Sequence, residues 1–185
     1  MRTLSVIPWL LSAVMPAQMT GQTLSFFRPT PGFGPTAVAV NASGIYVAGS
    51  SVAKYDSNGN QQWTTGAHGP GSGVAADTTG VYIVVGATLR KYGNDGNQLW
   101  SRTLQSEYTT AAVAADSSGV YAAVRDGFRH FLGKYTVDGS ELWTRQWDAP
   151  SQGLSLAVVT DTTGVYVLRA TAILTDRSKS ESDHY

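Results

Sequence analysis

The chain has 185 residues, no cysteine, and thirteen basic residues set against thirteen acidic ones, with charged types making up 14% of the whole. The lack of cysteine rules out a disulfide framework, thiolate zinc sites and cysteine nucleophiles. Sparse, balanced charge argues against the basic patch that duplex nucleic acid demands and against a polybasic segment for anionic membranes.

In chain order, Arg2 comes first and precedes an apolar run from Leu4 to Met15, broken only by Ser5, Pro8 and Ser12. That run is too short to span a bilayer and has the form of the apolar core of a signal peptide. Pro16-Ala17-Gln18 offers a small residue at a cleavage point. Residues 1–21 are therefore expected to be a removed signal peptide, and the mature protein to be secreted, periplasmic or at the cell surface, with no membrane span. A buried N-terminal strand or helix is the competing reading.

A repeat follows. Val74-Ala75-Ala76-Asp77-Thr78-Thr79-Gly80-Val81-Tyr82 leads to Lys91-Tyr92, then Asp95-Gly96, then Trp100. An earlier copy carries Asn41, Gly44, Tyr46, Tyr55, Gly59 and Trp63; a later one carries Asp116, Gly119, Tyr121, Tyr135, Gly139 and Trp143. A fourth, partial copy keeps Asp161, Gly164 and Tyr166, then loses the rest. The steps from Asn41 to Asp77, Asp116 and Asp161 are 36, 39 and 45 residues. A repeat of this length signals a stacked or radial architecture.

Each complete copy divides into four short stretches rich in β-branched and aromatic residues, in the second copy 73–77, 81–86, 88–92 and 97–103, as strands require. No window carries a sustained helical apolar period. Asn41-Ala42-Ser43-Gly44, Asp77-Thr78-Thr79-Gly80, Asp116-Ser117-Ser118-Gly119 and Asp161-Thr162-Thr163-Gly164 read as hairpin turns. Their Asp or Asn can accept bonds from the turn's own amides, and their glycine tolerates positive φ. Four antiparallel strands per repeat predict an all-β fold, a β-propeller of four-stranded blades. Small first strands, such as Val113-Ala114-Ala115, suit the crowded axis. The signature residues Trp63, Trp100 and Trp143 are expected to be buried between diverging outer strands.

This phrasing, Asp-x-x-Gly-Val-Tyr, Lys-Tyr and Asp-Gly-Asn-Gln-Leu-Trp, resembles the bacterial SBBP-type β-propeller repeats over about residues 36–168. It has a weaker likeness to quinoprotein-type repeats, whose blades also end in Gly-x-x-x-Trp. The SBBP resemblance implies exported or surface propellers with no common catalytic residue set.

The domain plan is a signal peptide at 1–21, repeats at about 36–72, 73–109 and 110–153, a partial repeat at 154–174, and a polar tail at 175–185, the propeller as a whole covering 22–174. Leu24-Ser25-Phe26-Phe27 is placed to serve as a fourth strand of a blade that lies elsewhere. Two closures follow: an open arc or truncated piece of a larger ring, or a small closed four-bladed ring.

No catalytic, cofactor-binding or metal site emerges, and no cofactor is expected. His68, His130 and His184 lack partners at metal-ligand spacing and read as solvated or turn histidines. Asp56-Ser57-Asn58-Gly59-Asn60 begins like a calcium loop, but position twelve is Ala67. The glycine-rich stretch 66–73 leads into a strand, whereas a phosphate cradle needs a helix there. One irregularity stands out: the third copy has a longer connection holding Arg125, Phe128, Arg129 and His130, cations beside aromatics. It is the candidate ligand loop. The expected role is a non-enzymatic binding or structural module with a protein or glycan ligand, no nucleic-acid partner, and self-association through an uncovered blade. The alternative is a quinoprotein-like or glycan-lyase-like propeller enzyme.

Overall fold

The computed structural model describes residues 34, 36–66, 71–104, 110–126, 128–148, 153–161 and 163–171. The expected signal peptide, the Leu24–Phe27 stretch, the polar tail, His68 and His184 lie outside the described residues.

Among the described residues every element is a strand. The first sheet holds β1 (Ala37–Asn41), β2 (Gly44–Ala48), β3 (Val52–Tyr55) and β4 (Gln61–Thr64) in sequence order. The second holds β5 (Gly71–Asp77), β6 (Gly80–Val85), β7 (Thr88–Gly93) and β8 (Gln98–Thr103). The third holds β9 (Thr110–Asp116), β10 (Gly119–Asp126), β11 (Arg129–Tyr135) and β12 (Glu141–Asp148). The fourth is a two-stranded ribbon of β13 (Gly153–Thr160) and β14 (Val165–Thr171). All pairings are antiparallel. Three complete blades and a half blade are thus present, as the repeat predicts.

The first strands form the inner line: β1 lies beside β5, β5 beside β9, and β9 beside β13. Small side chains allow this approach. A Cβ placed on Gly73 would come 3.0 Å from the Val113 amide nitrogen. Among the described residues no comparable contact returns from β13 to β1, so these sheets stand as an open arc and do not close into a four-bladed ring.

The turns work as their residues predict, with one addition. Oδ1 of Asn41, Asp77, Asp116 and Asp161 accepts the backbone N–H two residues on, and the Ser or Thr hydroxyl there as well. The repeat tyrosine then closes each turn. Tyr82 Oη donates to Asp77 Oδ2 at 2.7 Å, while Tyr46, Tyr121 and Tyr166 meet the Ser43, Ser118 and Thr163 hydroxyls at 2.7–2.9 Å. Gly44 shows why its position excludes side chains: φ is +151° and a Cβ would lie 2.5 Å from the Tyr55 carbonyl oxygen.

The core lies between sheets rather than within one. Tyr46, Ala48 and Val52 of the first blade pack on Val81, Ile83 and Tyr92 of the second. Tyr82, Val84 and Leu89 of the second pack on Val113, Val120 and Ala122 of the third. Tyr121, Ala123 and Leu132 of the third pack on Leu156, Val158 and Val165 of the fourth. Burial of each such side chain contributes about 2 kcal/mol.

Two expectations need correction. Trp63, Trp100 and Trp143 are only half-buried, because each stands on the outermost strand of its sheet. His130 is not solvated: it is 1% exposed and stacked on Trp147 with ring centroids 5.6 Å apart and planes at 9°. The third copy's extra residues lengthen the ladder, with Asp126 pairing Arg129, and so carry His130 into the sheet opposite Trp147.

Candidate functional site

Each complete blade carries one row of side chains across its four strands. In the second blade Ala75 pairs with Tyr82, Tyr82 with Lys91, and Lys91 with Trp100. The first blade repeats it as Ala39, Tyr46, Lys54 and Trp63, and the third as Ala114, Tyr121, Lys134 and Trp143. A register shift falls at the same place in every blade, between Lys54 and Tyr55, Lys91 and Tyr92, and Lys134 and Tyr135. Such bulges re-aim a side chain, and here the shift sets tryptophan opposite lysine.

Within the row each ammonium lies over the tyrosine ring, 5.7, 5.0 and 5.1 Å from the centroid in successive blades. Each tryptophan tilts against the same tyrosine at 5.9–6.2 Å. Cation–π contact is strongest where water is excluded, and Lys54 and Lys91 are buried.

The row grips the next blade. Lys54 Nζ and Trp63 Nε1 both donate to the Asn94 carbonyl, at 3.0 and 2.9 Å. Lys91 Nζ and Trp100 Nε1 both donate to the Val137 carbonyl, at 2.9 and 3.0 Å. Two residues after that carbonyl stands Gly96 or Gly139, φ +87° and +88°, and the tryptophan ring lies on it. The recurrent Lys, Trp and Asp-Gly are therefore parts of one inter-blade clamp. The third blade finds no such turn in the two-stranded ribbon. Lys134 Nζ turns to Ser118 Oγ of its own blade at 3.1 Å, and the Trp143 indole N–H has no acceptor among the described residues.

Electrostatics follow from this geometry. Burial pushes the Lys91 pKa down, and the nearby carboxylates of Asp77 and Asp138 offset part of that. Burial, then the bond to Asp77, pushes the Tyr82 phenol up. Burial alone would raise Asp77, but bonds from Thr79 and Tyr82 outweigh it and hold the carboxyl below its usual range. Asp56, Asp95, Asp116, Asp138 and Asp161 are likewise held low by the turn donors around them.

The candidate ligand-loop residues separate. Phe128 and Arg129 stand exposed at the hairpin tip, Arg125 is half-buried, and His130 points inward. No group of three metal-binding side chains occurs among the described residues. A cavity of about 30 Å³ lined by Leu104, Phe131, Tyr135 and Glu141 has room for a water or two. Sequence reasoning missed the shared carbonyl acceptor because a backbone atom leaves no side-chain signature. The repeated Lys and Trp were the only trace of it.

Sheets packed face to face around a line of inner strands, the first two each clamped to the next, define a β-propeller repeat protein. The family model described as outer membrane protein assembly factor BamB matches residues 48–179, more than half of the sequence, and the chain belongs to that family. Three solved structures share the fold. The computationally designed Ika4 protein is 18% identical with TM-score 0.59, over 81% of this chain and 99% of that one. A protein of unknown function from Bacteroides caccae is 11% identical with TM-score 0.55, over 76% and 55%. BamB from Moraxella catarrhalis is 16% identical with TM-score 0.51, over 73% and 44%. The chain thus spans about half the length of these two natural proteins. No curated protein sequence matches it.

Proposed function

We propose that this chain is an exported, non-enzymatic propeller module of the cell envelope, with repeats of the SBBP type, holding a protein or glycan partner on a rigid scaffold. The observation that carries this reading is how the repeat's polar side chains are used. Asp77, Asp116 and Asp161 bind their own turns, and Lys54 and Lys91 bind the next blade. These bonds give the repeat's charged side chains a role in holding the fold, which supports a scaffold over a catalytic reading. The family's description as an outer membrane protein assembly factor supports an envelope role, and the apolar run from Leu4 to Met15 supports export.

Two measurements on the full-length gene product test this. Expressed in a bacterium with an outer membrane, it should leave the cytoplasm with a new N-terminus soon after Ala17; retention with residues 1–21 intact would refute export. Purified protein titrated with pyrroloquinoline quinone and calcium should take up neither. Stoichiometric uptake with dehydrogenase activity would establish the quinoprotein alternative.

A further inference from the structure

One packing rule recurs at all three junctions between sheets. The face bearing a blade's repeat tyrosine covers the next blade's opposite face, the one built from valine, isoleucine and alanine. The rule leaves one half of a junction uncovered at each end of the arc. On the first sheet Val38 and Val40 are 64% and 65% exposed. On the last, Val159, Tyr166 and Leu168 are 61%, 52% and 72% exposed. The repeat positions of Tyr166 and Leu168 are held by Tyr82 and Val84 in the second blade, and both of these are 0% exposed.

The two uncovered faces are not alike; they are the two complementary halves of a junction the molecule already makes three times. We propose that the tyrosine face of the last sheet docks on the valine face of the first sheet of a second copy, and the reverse, so that two arcs close head to tail into one ring. This reading does not depend on export or on the absence of enzymatic activity.

Three observations select a second copy as the occupant. Neither face exposes a charged residue among those named, so the junction needs no ionic partner. Among the described residues the inner line of strands does not return from β13 to β1, so these strands of one copy do not cover each other's outer faces. The same two kinds of face pack on each other at every junction within one copy, so the surface that fits each end is the opposite end of another copy. Two arcs of three and a half blades also fall within the roughly four to eight blades over which such rings close. A head-to-tail contact that closes gives a discrete ring, whereas one that does not gives filaments.

Sedimentation equilibrium of the full chain across micromolar concentrations is expected to show a discrete dimer. Val40→Lys blocks the valine face and Leu168→Lys the tyrosine face; both sites are exposed, so folding is checked by circular dichroism and is expected to hold. Each variant alone is expected to dimerise about thirtyfold more weakly or worse, the loss typical of an interface hot spot. Mixed together, the two variants retain one intact junction between them and should form a heterodimer weaker than the parent dimer. Three outcomes would overturn the proposal: a parent protein monomeric at every concentration, a Val40→Lys variant that dimerises as well as the parent, or an open ladder of oligomers.

Discussion

Trp100 lies flat on Gly139 of the following blade, so close that a Cβ at position 139 would sit 2.9 Å from the indole Cδ2. The same indole donates its N–H to the Val137 carbonyl two residues earlier. Gly139→Ala therefore meets both a left-handed backbone, φ +88°, and an occupied space. It should destabilise the fold by about 2–4 kcal/mol, strain and overpacking combined. Gly86→Ala has φ +53° but nothing within 4 Å, and should cost only about 1 kcal/mol. Urea unfolding of the two variants makes the comparison.

Lys91 and Trp100 share one acceptor, so either can satisfy it when the other is gone. Lys91→Met keeps the aliphatic stem, removes a buried charge, and should cost less than about 1 kcal/mol. Trp100→Phe leaves Lys91 in place on the carbonyl. The double variant strips both donors from Val137 and should lose about 0.5–1 kcal/mol more than the sum of the single changes. A double-mutant cycle in urea measures the excess, and strict additivity would contradict the shared clamp.

Tyrosine hydroxyls close the turns, but burial decides how much each bond is worth. Tyr82→Phe strips the Asp77 carboxylate of a buried donor and should cost about 1–2 kcal/mol. Tyr166→Phe removes the equivalent group from a half-exposed site and should cost less than about 0.5 kcal/mol. Thermal melts of both variants distinguish them.

Acid should unfold the protein through its turns. The aspartates at 77, 116 and 161 have folded pKa values below the ordinary 3.8, so the unfolded chain takes up protons first as pH falls. Their contribution is complete above that value and is lost as pH drops through the lower folded values. Asn41 occupies the same place in the first blade and keeps the same amide bond without titrating. Asp77→Asn should accordingly stay folded at neutral pH and show a shallower loss of stability below pH 4, read from denaturant midpoints across an acid series.

Much of this architecture is legible in the residues. Asp-x-x-Gly marks each inner hairpin because its side chain and its φ both serve the turn, and β6, β7 and β8 begin within a residue or two of their expected starts. The alternation inside a strand predicts two faces. It does not reveal that Lys91, a charged residue, belongs to the buried one, since its partner is a carbonyl 46 residues away. His130 was hidden for a related reason: four inserted residues can lengthen a loop or a ladder, and Trp147, the ring that receives it, sits on another strand. The seat of Trp63 is likewise silent in the sequence, because Gly96, which lies against the ring, belongs to the next blade's turn.

The clamp is tested most directly by hydrogen exchange at the tryptophan indoles, followed by NMR with single-tryptophan assignment variants. Bonded to the Asn94 and Val137 carbonyls, the Trp63 and Trp100 N–H groups should exchange about tenfold or more slowly relative to Trp143, consistent with a hydrogen bond worth roughly 1.5 kcal/mol. Equal, fast exchange at all three would mean that successive blades are not held together in this way.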